Sequence, residues 1–145
     1  MSTNSSPTFI RTLRYIHALF GITLTILVLG IVTNVFFLTF FVVDGQSMEP
    51  TLQDRHYLGV DLTTYRFKEP QKNDIVIVSY AGDSTVRFVK RILGVPGETV
   101  QVRGEDVVLT TDQYYVVGDN RDYSTDSRVF GPINRNDIFG RVFWH

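Results

Sequence analysis

The chain of 145 residues contains no cysteine. Disulfide bonds, thiolate metal sites and cysteine nucleophiles are therefore excluded. An excess of positive charge is also absent, because 14 Lys and Arg residues stand against 15 Asp and Glu residues. A nucleic-acid-binding surface would need a basic excess, so binding to nucleic acid is not indicated. Any folded domain in this chain must be stabilised by an apolar core rather than by cross-links.

A second absence is local, since residues 15–43 contain no Asp, Glu, Lys or Arg. This run exceeds the roughly 20 apolar residues that a membrane-crossing helix needs. A cleavable secretory leader has a shorter apolar region, typically about 7–15 residues, followed by small residues. Here the run ends in two phenylalanines and two valines. A helix in a soluble core would have a polar face, so we predict one transmembrane helix over residues 15–43.

Flanking charges predict the orientation of this helix. Arg11 and Arg14 precede the apolar run, and Asp44 follows it. By the positive-inside rule, residues 1–14 form a short cytoplasmic tail. The segment 44–145, with 12 basic and 15 acidic residues, is then extracytoplasmic.

The segment after the apolar run has the alternation and the turn residues of β-strands. The tripeptide Ala81-Gly82-Asp83 and the Pro-Gly pair before Glu98 are predicted turns. The strands that we predict are 57–61, 74–80, 84–93, 99–103, 106–110, 114–117 and 138–144. The fold class is therefore mainly β, a compact antiparallel sheet or barrel-like domain tethered by one amino-terminal transmembrane helix.

Two residues of this domain have catalytic potential. Ser47 is a hydroxyl nucleophile shortly after the apolar run, and Lys90 lies on the strand predicted at 84–93. Alternation places Lys90 with Phe88 and Ile92 on the more apolar face. Burial lowers the pKa of a lysine, and a neutral amine can accept the proton of a serine. Alternation alone nevertheless favours a lysine that extends its amine to water.

A polar loop spans residues 118–131. Its spacing fails the calcium-loop pattern, because Ser127 stands where glycine is required when counting from Asp122. A solvated turn is one interpretation. The combination of Asp126 and Arg128 with two serines instead favours an ion-paired loop that presents a hydroxyl. We expect no metal, since no His, Asp and Glu residues have ligand spacing.

Four segments in this order resemble the conserved boxes of the bacterial type I signal peptidases, a family of membrane-bound serine proteases with a Ser/Lys dyad. The segments are 45–52, 73–76, 89–98 and 118–131. Asn73 stands where the family usually has glycine, and Glu98 where aspartate is commoner. Residues 100–113 are short where many members carry a second domain, so no large accessory domain is expected.

The resemblance implies a role for each matching residue. Ser47 is expected to be the nucleophile, and its backbone N–H to stabilise the oxyanion. Lys90 is expected to be the general base in both acylation and deacylation, with Ser124 orienting its amine. Asp126 and Arg128 are expected to form a structural ion pair.

The resemblance also implies a binding mode for the substrate. An extended peptide would pair with the enzyme as an added strand, and the candidate substrate-binding residues are Asp44, Gly45, Gln46, Met48 and Phe88. Some relatives have a serine hydroxyl at the position of Gly45, so the second oxyanion donor stays open. Core packing explains Met48 equally well.

The function implied is a cofactor-free serine endopeptidase of the bacterial cytoplasmic membrane, with its catalytic domain on the outer face. Its partners would be exported precursors, cleaved after an Ala-X-Ala-like motif, together with the lipid bilayer and the secretion translocon as a further candidate. Three alternatives stay open. They are a dedicated processing peptidase for a substrate such as a pilin, a Ser/His hydrolase that uses His56, and a catalytically inactive assembly chaperone.

Overall fold

The chain forms two compact units, Met1–Phe36 and Phe37–His145. A computed structural model describes residues 7–80 and 83–144. The described residues of the first unit belong to helix α1, which spans Pro7–Phe37. Within it, Ile10–Val32 has a mean hydropathy of 2.2 and is long enough to cross a membrane. The hydroxyls of Thr23 and Thr25 each donate to the carbonyl four residues earlier, at 2.8 Å, so these polar groups are satisfied within the helix.

The helix predicted over residues 15–43 has the wrong bounds. The helix begins earlier, at Pro7, where the fixed φ of proline suits a first helical turn. It ends at Phe37, and Leu38–Val42 forms strand β1, which pairs with the next strand. An apolar run alone does not separate helix from buried strand, and here phenylalanine and valine favour the strand.

The second unit is an antiparallel β-structure, which confirms the predicted fold class. Within the described residues its strands are β1 Leu38–Val42, β2 Tyr57–Asp61, β3 Ile75–Tyr80, β4 Asp83–Gly94, β5 Thr99–Val102, β6 Glu105–Val108, β7 Gln113–Val117, β8 Ile133–Asn134 and β9 Ile138–Trp144. A seven-stranded sheet has the order β1-β2-β9-β3-β4-β7-β8, and β5 pairs with β6 in a separate hairpin. A single helical turn, α2 (Ser127–Phe130), lies in the polar loop.

All seven predicted strands are present, with bounds within two residues of those predicted. Strands β1 and β8 were not predicted. The turn before Glu98 also forms, since Gly97 has φ +82° and Glu98 N–H donates to Val95 O at 3.0 Å. Of the other predicted turn, Ala81 and Gly82 lie outside the described residues.

Apolar side chains cover both faces of β3. Ile75 and Ile77 pack on one face in a cluster with Met48 and Leu52, which follow Ser47 in the chain. Val76 and Val78 point to the other face and join a second cluster, which includes Ile92 of β4. Strand β3 is therefore buried on both sides, and the turn that carries Ser47 is anchored to the first cluster.

Candidate active site

Ser47 lies in a tight turn with fixed ends. Gly45 has φ +98° and its N–H donates to Asp54 Oδ1 at 2.8 Å. At the other end, Leu52 N–H donates to Met48 O at 2.9 Å. A positive φ strains any residue with a Cβ, so the geometry explains glycine at position 45. Met48 and Leu52 are fully buried and hold the turn that carries Ser47 against the core.

Lys90 is buried beside Ser47. Its side chain is on the face predicted from alternation, but it is only 2% exposed, so the interpretation as a solvated surface lysine is wrong. Lys90 Nζ lies 2.9 Å from Ser47 Oγ and 5.7 Å from the centroid of the Phe88 ring. Burial lowers the pKa of Lys90 to about 8, with Asp126 opposing the shift and Arg128 adding to it. A neutral amine at this position can accept the proton of the Ser47 hydroxyl.

Ser124 reaches the site through a close approach of two chain segments. A Cβ at Gly118 would lie 2.3 Å from Ser124 Oγ and 2.4 Å from Ser47 O. Only glycine therefore allows the polar loop to pack against the turn that carries Ser47. Ser124 Oγ is buried and makes no well-formed hydrogen bond with the described residues. It lies close enough to the Asp126 carboxylate to help lower the pKa of that group.

The ion pair predicted between Asp126 and Arg128 is present. Asp126 is fully buried and accepts from Arg128 Nε at 2.8 Å and from Arg128 Nη2 at 2.9 Å. Gly118 N–H also donates to Asp126, at 2.8 Å. Burial raises the pKa of Asp126, but these hydrogen bonds outweigh burial and hold the pKa below its usual value. Asp126 thereby fixes the position of Gly118 and of the loop around Ser124.

The structure contains a second ion pair, between Arg91 and Asp119, that the sequence does not predict. Arg91 donates from Nε and Nη2 to the two carboxylate oxygens of Asp119, at 2.8 and 2.7 Å. The Thr51 hydroxyl also bonds to Asp119, and Asn120 N–H donates to Ser47 O at 3.0 Å. Hydrogen bonds therefore join the polar loop both to β4, beside Lys90, and to the turn that carries Ser47. No sequence motif links residues 28 positions apart in this way.

A small cleft of about 90 Å³ opens beside Ser47. Its lining consists of Phe41, Val42, Val43, Asp44, Ser47, Ile77, Arg87, Phe88 and Val89. Asp44 and Phe88, both predicted to bind substrate, are in this lining. Gly45 and Gln46 belong to the adjoining turn, and Met48 lies in the core at 1% exposure.

His56 is exposed in the turn before β2. Its hydrogen bonds in the described residues are made by the backbone, to Val43 and Gln53. Within that same part of the chain, no group of three or more His, Asp and Glu residues could hold a metal ion. The structure therefore brings Ser47 together with Lys90 and Ser124, and not with His56.

A family model and the relatives of this chain point to the same family. The family model described as signal peptidase, peptidase S26, matches residues 15–110 and 105–145. Signal peptidase I V of Bacillus subtilis is 31% identical over 137 residues, which cover 69% of this chain and 80% of that protein. A probable signal peptidase I-2 of Synechocystis sp. is 31% identical over 150 residues, with 84% and 68% covered. A crystal structure of a signal peptidase I from Enterococcus faecalis V583 aligns at a TM-score of 0.44 and 25% identity, over 51% of this chain and 97% of that one.

Proposed function

Because this chain belongs to the signal peptidase family, peptidase S26, we propose that it is a membrane-anchored serine endopeptidase that removes signal peptides from exported precursors. The observation that carries the proposal is the 2.9 Å contact between Ser47 Oγ and the buried Lys90 Nζ. With a pKa of about 8, Lys90 is neutral in about a tenth of molecules at pH 7. That population supplies a general base next to a nucleophile.

The proposed reaction has two steps. Ser47 Oγ attacks the scissile carbonyl while Lys90 Nζ takes its proton, and the same amine then protonates the leaving nitrogen. In the second step Lys90 takes a proton from water, which hydrolyses the acyl-enzyme. Ser47 N–H stabilises the oxyanion, and Ser124 orients the Lys90 amine.

The cleft suits a peptide with small side chains. Its small volume, about 90 Å³, supports cleavage after an Ala-X-Ala-like motif. Strand β4 pairs with β7 only over residues 91–94, so residues 86–89 have an edge free of β7. An extended peptide can add there as a strand, opposite residues 42–44.

The proposed location is the bacterial cytoplasmic membrane, with α1 as the anchor and the catalytic unit on the outer face. Arg11 and Arg14 lie before most of the apolar span, as the positive-inside rule requires for a cytoplasmic amino terminus. Ser47 follows Phe37, the last helical residue, by only ten positions, a reach of at most about 35 Å. A precursor still held by its own apolar segment, beside the translocon, would present its cleavage site within that distance.

The test uses detergent-solubilised full-length protein and a precursor with an Ala-X-Ala site. We expect cleavage after the second alanine, identified from the product mass, and no cleavage by Ser47→Ala. If neither protein cleaves but both bind the precursor, the catalytically inactive chaperone is the correct function. A panel of unrelated precursors separates a general peptidase from one dedicated to a single substrate such as a pilin.

A further inference from the structure

Arg87 places a positive charge on the wall of the cleft beside Ser47. Its guanidinium carbon lies 3.8 Å from the centroid of the Phe139 ring. This distance is that of a close cation–π contact, in which the ring restrains the guanidinium and leaves its N–H donors available. The side chain of Arg87 is exposed, so those donors face solvent or a bound molecule.

The ion pairs within the described residues use other basic side chains. They join Arg55 to Asp54, Lys72 to Glu98, Arg91 to Asp119, Arg128 to Asp126, Arg135 to Glu69, and Arg141 to Asp74. Asp44 lies in the same cleft lining as Arg87, but no ion pair joins the two in this part of the chain. In the described structure Arg87 therefore contacts a ring and has no carboxylate partner. A positive charge at the wall of a cleft attracts groups of the opposite sign.

The position of Arg87 along β4 determines which residue of a bound peptide it can contact. Arg87 precedes Lys90 by three residues, which is about 10 Å along a strand. A peptide bound as an added strand has the same rise, so Arg87 lies beside the residue about three positions from the scissile bond. The proposed motif requires small residues at −1 and −3, counted back from that bond. Among the positions before the bond, a charged residue can then occupy −2, or −4 and beyond.

We propose that Arg87, held by Phe139, makes this enzyme favour precursors with an acidic residue a few positions before the cleavage site. The inference rests on the proposed peptidase function and adds a substrate preference to it. A carboxylate in the bound peptide would accept charge-assisted hydrogen bonds from the guanidinium. Because the ring already restrains Arg87, less side-chain freedom is lost when that contact forms.

The test is a precursor panel with alanine fixed at −1 and −3. Glu, Gln or Lys is placed singly at −2, −4, −5 and −6, and kcat/KM is measured with solubilised full-length protein. Glu and Gln have nearly the same shape, so their ratio isolates the charge. At one of these positions we expect kcat/KM for the Glu precursor to be about three- to fivefold higher than for the Gln precursor. This is the size of effect that a partly exposed charge pair produces. Raising the salt concentration should reduce that ratio.

Variants of Arg87 test whether the charge preference depends on this residue. We expect the Glu-to-Gln ratio to fall to about one in Arg87→Gln and to invert in Arg87→Glu, which should favour Lys. Arg66→Gln is the matched control, because Arg66 is an exposed arginine outside the cleft lining, and it should keep the wild-type ratio. The inference is wrong if no scanned position shows the ratio, or if Arg87→Gln retains it.

Binding of the same panel to Ser47→Ala separates this inference from the proposed function. Charge-selective binding that requires Arg87 would support the inference even if wild-type protein cleaved nothing, and would then point to a binding protein. Cleavage of every precursor without charge preference, with equal binding, would support the peptidase function and overturn the role of Arg87.

Discussion

Lys90 and Arg91 are adjacent on β4 and face opposite sides of the sheet, and the two sides stabilise a positive charge to very different extents. Burial lowers the pKa of Lys90 to about 8, and its Nζ contacts a hydroxyl instead of a carboxylate. On the other side, two hydrogen bonds to Asp119 raise the pKa of Arg91 above its usual value. One strand thus supplies a side chain that can release its proton and, next to it, a permanently charged anchor for the polar loop.

The largest effect on activity is expected when Lys90 is replaced by arginine, and the matched comparison replaces Arg91 by lysine. Lys90→Arg keeps the positive charge, but a guanidinium cannot lose its proton, so we expect kcat/KM for precursor cleavage to fall about 10³-fold. Arg91→Lys also keeps the charge but loses the two-point contact with Asp119 and the hydrogen bond to Asn73 O, so a loss of about three- to tenfold is expected. Equal losses in the two variants would contradict the assignment of Lys90 as the base.

The two serines of the polar loop offer a finer comparison. Ser124 Oγ has no well-formed hydrogen bond with the described residues, whereas Ser127 Oγ accepts from Val116 N–H at 3.0 Å. If Ser124 orients the Lys90 amine, Ser124→Ala should lower kcat about tenfold to hundredfold with almost no change in Tm. Ser127→Ala should instead lower stability by about 1–3 kcal/mol, because it leaves a buried N–H unpaired. A Ser124→Ala variant with full activity would remove Ser124 from the mechanism.

The contrast between Lys90 and Arg91 should also appear in the free energy of unfolding, with a smaller effect than on activity. The folded pKa of Lys90 is about 8, below the ordinary 10.5, so below pH 8 the folded protein holds an unfavourable buried charge. Lys90→Met should therefore raise the free energy of unfolding at pH 7 by about 1–3 kcal/mol, and this gain should shrink between pH 8 and 10.5. Arg91→Met should lower it by about 1–2 kcal/mol, since Asp119 loses its partner. Denaturant unfolding at pH 7 and pH 10 measures both, and a destabilised Lys90→Met would contradict the account of Lys90.

The strands were predictable because their signals are local. Alternation over residues 84–93 and turn residues such as Gly97 indicated where strands begin and end. Strand β1 was missed because Leu38–Val42 continues an apolar run without interruption, and its pairing with β2 depends on residues further along the chain. Strand β8 has only two residues, too few for any pattern.

The site was predictable only in part. Alternation identified the face of Lys90 but not its burial, because burial depends on the polar loop and on the turn around Met48. The pairing of Ser47 with Lys90 came from the resemblance of four segments to a known family. The contact between Arg91 and Asp119 joins residues 28 positions apart, and no motif indicates it. Arg87 lines the cleft only because β1 and the residues after it form the opposite wall, and the sequence does not predict β1.

One measurement tests most directly whether neutral Lys90 is the base for Ser47. Since the chain has no cysteine, Lys90→Cys introduces a unique thiol, and alkylation with bromoethylamine rebuilds a lysine analogue with a less basic amine. We expect Lys90→Cys to be inactive, alkylation to restore cleavage, and the acid limb of kcat/KM to move from a midpoint near pH 8 in the wild type to a lower pH in the analogue. An acid limb that the analogue leaves unchanged, or that disappears in His56→Ala, would contradict the claim.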